Sequence, residues 1–192
     1  FRKQDDVVGA IRLMISTLEK HEKPNTALTH AVALKWLVHL VADIHNPMHG
    51  ATLFYKADKD GKLSIVTDPA KVQDAYHGEG GNEIRLGDWK LHAYWDAPMV
   101  DVVLPGAGAP GLTSFLAKQC PTSTIGAIDP DSRPELDWAV ESAKAARQTY
   151  VGIVARGMFL DGQRVKVTAE MASNYSQIHR DLSEKQMVSA AK

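Results

Sequence analysis

The stretch Leu37-Val38-His39-Leu40-Val41-Ala42-Asp43-Ile44-His45-Asn46-Pro47-Met48-His49 joins an apolar helical stripe, a helix breaker and three imidazoles around one carboxylate. Leu34, Leu37, Val38 and Val41 recur at helical spacing, with Asn25 or Thr26 as the expected cap and Pro47 as the stop. A helix is therefore predicted from residue 26 to about residue 44. His39 and Asp43 stand four apart, which on a helix puts both side chains on one face, where imidazole nitrogen and carboxylate oxygen can grip one divalent ion. His92 and Asp96 repeat the spacing. With 8 His and 15 Asp in 192 residues, about 0.6 such pairs arise by chance, so two pairs are a weak signal alone. An Asp on an otherwise apolar helix needs a cation or several donors against its desolvation, and the turn after Pro47 brings His49 near the end of that helix. The plainer alternative makes His39 a core histidine, Asp43 a helix-end acid and His49 a solvated loop residue. Spacing does not separate the two.

Upstream, Val7, Val8, Ile11, Met14, Ile15 and Leu18 predict a first helix that stops at residues 21–25. Downstream, residues 51–90 change character. Leu53-Phe54-Tyr55, Lys62-Leu63-Ser64-Ile65-Val66 and Ile84-Arg85-Leu86 read as short strands between Asp60-Gly61, Gly80-Gly81 and Gly87-Asp88, that is, as small hairpins inserted between helices. Leu91 to Trp95 reads equally as helix or strand, and residues 105–110 as a loop before a short helix over 112–118. Asp131-Ser132-Arg133-Pro134-Glu135 carries helix-start chemistry, and a long helix is predicted onward to Met158. Met171, Tyr175, Ile178, Leu182 and Met187 predict a last helix within 168–192. The expected fold is mainly α, a single domain over 1–192 with small β-hairpin insertions.

Composition narrows the function classes. The chain is 44% apolar and 23% charged, as in soluble globular proteins, and its most apolar run, residues 31–44, is interrupted by Lys35, His39 and Asp43, so no membrane span is expected. Lys and Arg number 22 against 23 Asp and Glu, a net charge of -1, so a nucleic-acid partner requires a positive charge other than a basic surface. The lone Cys120 excludes an intrachain disulfide and a cysteine zinc cage. No signal peptide is present in this chain, which opens on Phe1-Arg2-Lys3-Gln4-Asp5-Asp6. His21, His30, His77 and His179 lack an acid at ligand spacing and read as solvated or simple hydrogen-bonding histidines. His45 reads as an outer neighbour of the site or an exposed residue, and Trp36, Trp89, Trp95 and Trp138 as packing residues.

His39-x-x-x-Asp43-Ile44-His45-Asn46-Pro47-Met48-His49, then Gly80-Gly81-Asn82, then Leu91-His92-Ala93-Tyr94-Trp95-Asp96, resembles the S1/P1 nuclease family, and Trp138-x-x-Glu141-Ser142 fits that family's later helix. The resemblance implies a phospholipase C/P1 nuclease-like helical domain with three zinc ions at the bottom of a cleft. Carried over by position, it implies that His49, His92 and Asp96 hold one zinc, that His39 and Asp43 serve a second, with Asp43 bridging to a third, and that Asn82 with the backbone of Gly80 and Gly81 contacts a nucleobase. Three divalent ions would supply the positive charge that the composition lacks. Lys90 stands where the family usually has Asn. The family's further ligands, an N-terminal Trp, an early His, and then an Asp and a His, find no match, so the resemblance implies that the first third of the domain and the end of its last helix are missing.

The implied function is zinc-dependent hydrolysis of single-stranded DNA or RNA and of nucleotide 3′-phosphates to 5′-phosphorylated products. The implied nucleophile is a metal-activated water, and its orienting acid is expected upstream of this chain. Single-stranded nucleic acid or nucleotides are the expected partners, with a cleaved N-terminal segment of the same protein as another, and secretion or a periplasmic location is implied. Two alternatives remain: a zinc phospholipase C, which would want an apolar rim at its cleft, and a non-catalytic helical module with a closed four-coordinate zinc.

Overall fold

Helix α1 (Val7–Glu19) begins where Asp6 Oδ1 accepts the Gly9 N–H at 2.8 Å, and α2 (His30–His45) begins where Thr29 Oγ1 accepts that of Val32 at 3.2 Å. These and the following elements come from a computed structural model describing residues 6–19, 28–106, 108–120 and 132–192. The expected caps Asn25 and Thr26, the stop at 21–25, His21 and Asp131 lie outside the described residues. The start of α2 moves from residue 26 to His30 because the hydroxyl that meets a free helical N–H belongs to Thr29.

At the other end of α2, Asn46 caps the short helix α3 (Pro47–Gly50): its Oδ1 accepts the Met48 N–H at 2.9 Å, and Pro47 occupies the first turn. The chain then forms β1 (Phe54–Ala57), β2 (Leu63–Ile65) and β3 (Tyr76–His77), a three-stranded antiparallel sheet ordered β2-β1-β3 with Tyr55 opposite both Ile65 and Tyr76. Next come β4 (Ile84–Leu86) and β5 (Trp89–Lys90), then α4 (Leu91–Asp96), α5 (Pro98–Val103) and α6 (Gly108–Gln119). Leu91 to Trp95 is thus helical. Lys90, at the N-cap of α4, makes no side-chain cap.

The remaining elements are α7 (Pro134–Thr149), β6 (Ile153–Asp161), β7 (Arg164–Met171) and α8 (Tyr175–Ala191). The helix predicted through Met158 ends at Thr149, and residues 168–171, predicted helical, are strand. Gly152 at φ +85° breaks the helix, and Gly162 at φ +61° lets Asp161 and Arg164 pair across a tight hairpin turn. Residues 164–171 alternate between buried and open positions, a period of two that overrode the looser 3.6 pattern. Strand β7 also pairs in parallel with β4, Ile84 opposite Val167, which gives a four-stranded sheet β5-β4-β7-β6. The fold is mainly α with two small sheets.

Two apolar clusters carry this arrangement. Val8, Ile11 and Ile44 pack α1 and α2 against Leu136 and Trp138 of α7. Met48, Tyr55, Leu91, Trp95, Met99, Val165, Val167 and Tyr175 join α3, both sheets, α4, α5 and α8. Tyr175 ties the second cluster with polar bonds: its hydroxyl accepts from Trp95 Nε1 at 2.9 Å and donates to the Thr149 carbonyl at 2.5 Å. One expectation fails on α2. Leu34, Trp36 and Val38 are exposed, and only Ala33, Ile44 and His45 are buried. Trp36 and Trp89 are likewise open rather than packed, whereas Trp95 is buried. Among the described residues no single helix is long and apolar enough to cross a membrane.

Candidate metal centre

The α2 terminus, α3 and α4 converge on one spot. His39 Nε2 lies 3.2 Å from Asp43 Oδ2, and the same oxygen lies 4.0 Å from His49 Nδ1. The far nitrogen of His49, Nε2, is 3.7 Å from Asp96 Oδ1, and His92 Nε2 is 3.7 Å from Asp96 Oδ2. The five residues read as candidate ligands therefore form one continuous string with His49 at its centre. Donor atoms of His49, His92 and Asp96 all lie within 4.8 Å of one another. Bonds of ~2.0–2.2 Å to a tetrahedral ion put its ligand atoms roughly 3.4 Å apart. The 3.7 Å separations are too long for hydrogen bonds and a few tenths wider than that tetrahedral edge.

The donor chemistry fits an ion. His92 Nδ1 donates to the Gly80 carbonyl at 2.9 Å; a carbonyl only accepts, so Nδ1 carries a proton, and in the neutral ring the lone pair is then on Nε2, facing the cluster. Asn46 Nδ2 donates to Asp96 Oδ1 at 2.7 Å and fixes that carboxylate. Among the described residues no Lys or Arg pairs with Asp43 or Asp96, so neither acid is neutralised by a side-chain cation. Asp43 is not buried on an apolar helix as expected; its side chain keeps 27% of its exposure and faces the other donors. His39 is no core histidine but 60% exposed.

Asn46 was missed by sequence reasoning. Its signal was the Asn-Pro pair at a helix start, which announces a cap, although nothing in that pattern points to a carboxylate fifty residues away. Around the turn at Gly80, the Asn82 amide donates to the Glu79 carbonyl at 3.1 Å, and a β-carbon added at Gly81 would stand 3.1 Å from the Met48 sulfur and 3.4 Å from the start of α4. His45 is not exposed, but it lines the same cavity as His39, Asp43 and His49. It is buried, donates from Nδ1 to the Val41 carbonyl at 2.8 Å and packs on Trp138, its rings centred 5.2 Å apart. Burial pushes its imidazole below the ordinary value, against the Val41 hydrogen bond and the Glu141 charge. His179 is also buried, bonded to the Val151 carbonyl at 2.9 Å, while His30 and His77 are exposed.

A cavity of about 550 Å³ opens beside the cluster. Asp43, His49 and Asp96 line one wall, and Leu112, Leu116 and Met187 of α6 and α8 line the other. The family model for S1/P1 nuclease matches residues 2–192. The chain belongs to the S1/P1 nuclease family. No curated protein and no solved structure matches it. Members of the S1/P1 family are nucleases, hydrolases of phosphodiester bonds, and the family is zinc-dependent in general. His49, His92 and Asp96 lie close enough together that they could hold one metal ion.

Proposed function

We propose that this chain carries the metal-holding part of a zinc-dependent phosphodiesterase that hydrolyses single-stranded DNA or RNA and nucleotide 3′-phosphates, leaving 5′-phosphorylated products. The observation that carries the reading is the three-donor set of His49, His92 and Asp96, with His92 and Asp96 each held by a hydrogen bond to a neighbouring group, the Gly80 carbonyl and the Asn46 amide. Zinc bound there supplies positive charge against phosphate and lowers the pKa of a water toward neutrality. His49, His92 and Asp96 would hold one ion, while His39 and Asp43 would offer two donors to a second position, Asp43 lying between His39 and His49.

The remaining residues bind and orient. Asn82 and the Gly80-Gly81 backbone, beside His92, would contact a base, and a single strand is the natural substrate because its bases are free to leave the stack. Three protein donors leave a fourth tetrahedral position open, which favours catalysis over a closed structural zinc. The proposed setting is outside the cytoplasm. The apolar wall of Leu112, Leu116 and Met187 favours one other reading, a lipid phosphodiester as substrate.

Parallel assays decide between the two. Single-stranded DNA, a nucleotide 3′-phosphate and phosphatidylcholine are each offered to the protein with zinc, after chelation and after zinc is returned. Cleavage of the first two to 5′-phosphate or inorganic phosphate, lost with chelator and regained with zinc, is the expected result. Cleavage of the lipid alone would overturn it.

A further inference from the structure

Gly80 occupies a position that strains any side chain. Its φ is +59°, and a β-carbon there would collide with the Met48 carbonyl oxygen, so that the turn beside His92 must shift to admit it. Its two backbone groups are both engaged. The N–H donates to Thr52 Oγ1 at 3.1 Å, and the carbonyl accepts the His92 Nδ1 proton at 2.9 Å. The far flank of the turn is braced by β7: Arg164 reaches Glu79 at 3.6 Å and Glu83 at 3.5 Å, Lys166 pairs with the buried Glu83 at 2.5 Å, and the Val167 N–H donates to the Glu83 carbonyl at 2.8 Å. The turn is thus held on both sides, which is more than a solvent loop needs.

We infer that Gly80 is a positioning residue for His92: its carbonyl, fixed by Thr52 on one side and by the Glu79/Glu83 brace on the other, selects the tautomer that leaves Nε2 bare and aims it at Asp96. The inference rests on the reading of His92 as a metal ligand. It assigns to the Gly80 backbone a task separate from any contact with a base. An imidazole released from this carbonyl populates both tautomers, turns about its side-chain bonds and must give up a proton from Nε2 before it can ligate. Loss of such an orienting partner commonly weakens metal binding 10–100-fold.

The test uses metal-free protein and cobalt, whose absorption reports ligation directly. Nitrogen-15 chemical shifts of His92 give the tautomer without metal, and cobalt titration gives affinity. In the wild type, His92 should be the Nδ1–H tautomer. Gly80→Ala should mix the tautomers and weaken cobalt binding 10–100-fold. Because Gly80→Ala strains the turn, Thr52→Val serves as the milder variant; it removes the Gly80 N–H partner together with the long 3.4 Å bond from Thr52 Oγ1 to the Leu53 carbonyl, and should shift both readouts part of the way, with Thr52→Ser keeping both bonds and the wild-type readouts. A destabilised but correctly oriented site would lose melting temperature while keeping tautomer and affinity. An Nε2–H tautomer in the wild type, or unchanged tautomer and cobalt affinity in folded Gly80→Ala and Thr52→Val, overturns the inference. A wild type that binds no cobalt overturns the ligand reading itself, and with it the inference.

Discussion

Gly50→Ala adds one methyl group at the tightest helix contact near the centre. Gly50 ends α3, next to His49, and a β-carbon built on it would stand 2.5 Å from Ser142 Oγ and 2.8 Å from both the β-carbon and the backbone carbonyl carbon of Ser142 on α7. The hydroxyl could rotate away at the cost of its 3.2 Å bond to the Asn46 carbonyl, but the backbone carbon moves only if a helix shifts. Alanine for glycine in a helix gains about 0.5–1 kcal/mol on its own. Overpacking of this kind costs about 1–3 kcal/mol, and the lost hydrogen bond about 1 kcal/mol. The net is roughly 2 kcal/mol of destabilisation, a fall in Tm of about 4–8 °C for a chain of this size. Thermal unfolding followed by circular dichroism measures it. Ser142→Ala should give no relief, because the 2.8 Å contacts persist, whereas Ser142→Gly should recover part of the loss. A Tm equal to or above that of the wild type would refute the close α3–α7 crossing, and with it the support beneath His49.

Three further outcomes follow from the same geometry. His92→Ala should lower bound zinc, measured by elemental analysis, and phosphodiesterase activity together. His179→Ala should leave the zinc content unchanged while costing about 1–3 kcal/mol of stability, since it removes a buried hydrogen-bonded ring packed on Tyr175 and Trp95. Burial alone raises the Glu83 carboxyl pKa, but the Lys166 hydrogen bond and the charges of Lys166, Arg164 and Lys90 outweigh it and hold the pKa below the ordinary value. Its contribution is therefore present above that value and is lost as pH falls through the folded pKa. Glu83→Gln should cost about 1–3 kcal/mol at neutral pH, less than a fully buried pair because Arg164 and Lys166 are partly in water, and the gap to the wild type should narrow in denaturant titrations as pH falls below the ordinary carboxylate range.

That the five candidate donors share short segments was legible in the sequence because they sit on local structure. His39 with Asp43 and His92 with Asp96 are each one helical turn apart, and Asn46-Pro47 fixes how His49 follows α2. What joins the two pairs is not local. The hydrogen bond from Asn46 to Asp96 spans fifty positions, and the braces on the Gly80 turn come from Arg164 and Lys166 on a strand that was read partly as helix. The β6–β7 hairpin was missed because residues 134–158 carry enough alanine to extend a helix on paper, while Gly152 and Gly162 act through positive φ, which periodicity does not report. The openness of α2 was missed for a different reason. An apolar stripe says which face prefers burial, whereas actual burial depends on what the rest of the fold places over it, and only the Ile44 end of α2 meets both α1 and α7.

Each ligand candidate near the centre of the cluster has a buried neighbour in the chain: Ile44 follows Asp43, Met48 precedes His49, Leu91 precedes His92 and Trp95 precedes Asp96. Consecutive residues on a helix point about 100° apart, so a donor on the open face and an anchor in the core are imposed on the same short segment. Ile44 belongs to one apolar cluster, and Met48, Leu91 and Trp95 to the other. The separations between donors are therefore set by how those two clusters dock, through α3 against α7 and through Trp95 against Tyr175 and Thr149. His39 lacks such an anchor: Val38 beside it is exposed and Leu40 only partly buried, so it is the least anchored of the five candidate donors. The cluster is graded accordingly: His92 and Asp96 are each held by a hydrogen bond with the Gly80 turn or Asn46, whereas His39 is met, among the described residues, by Asp43 and the edge of the Trp36 ring.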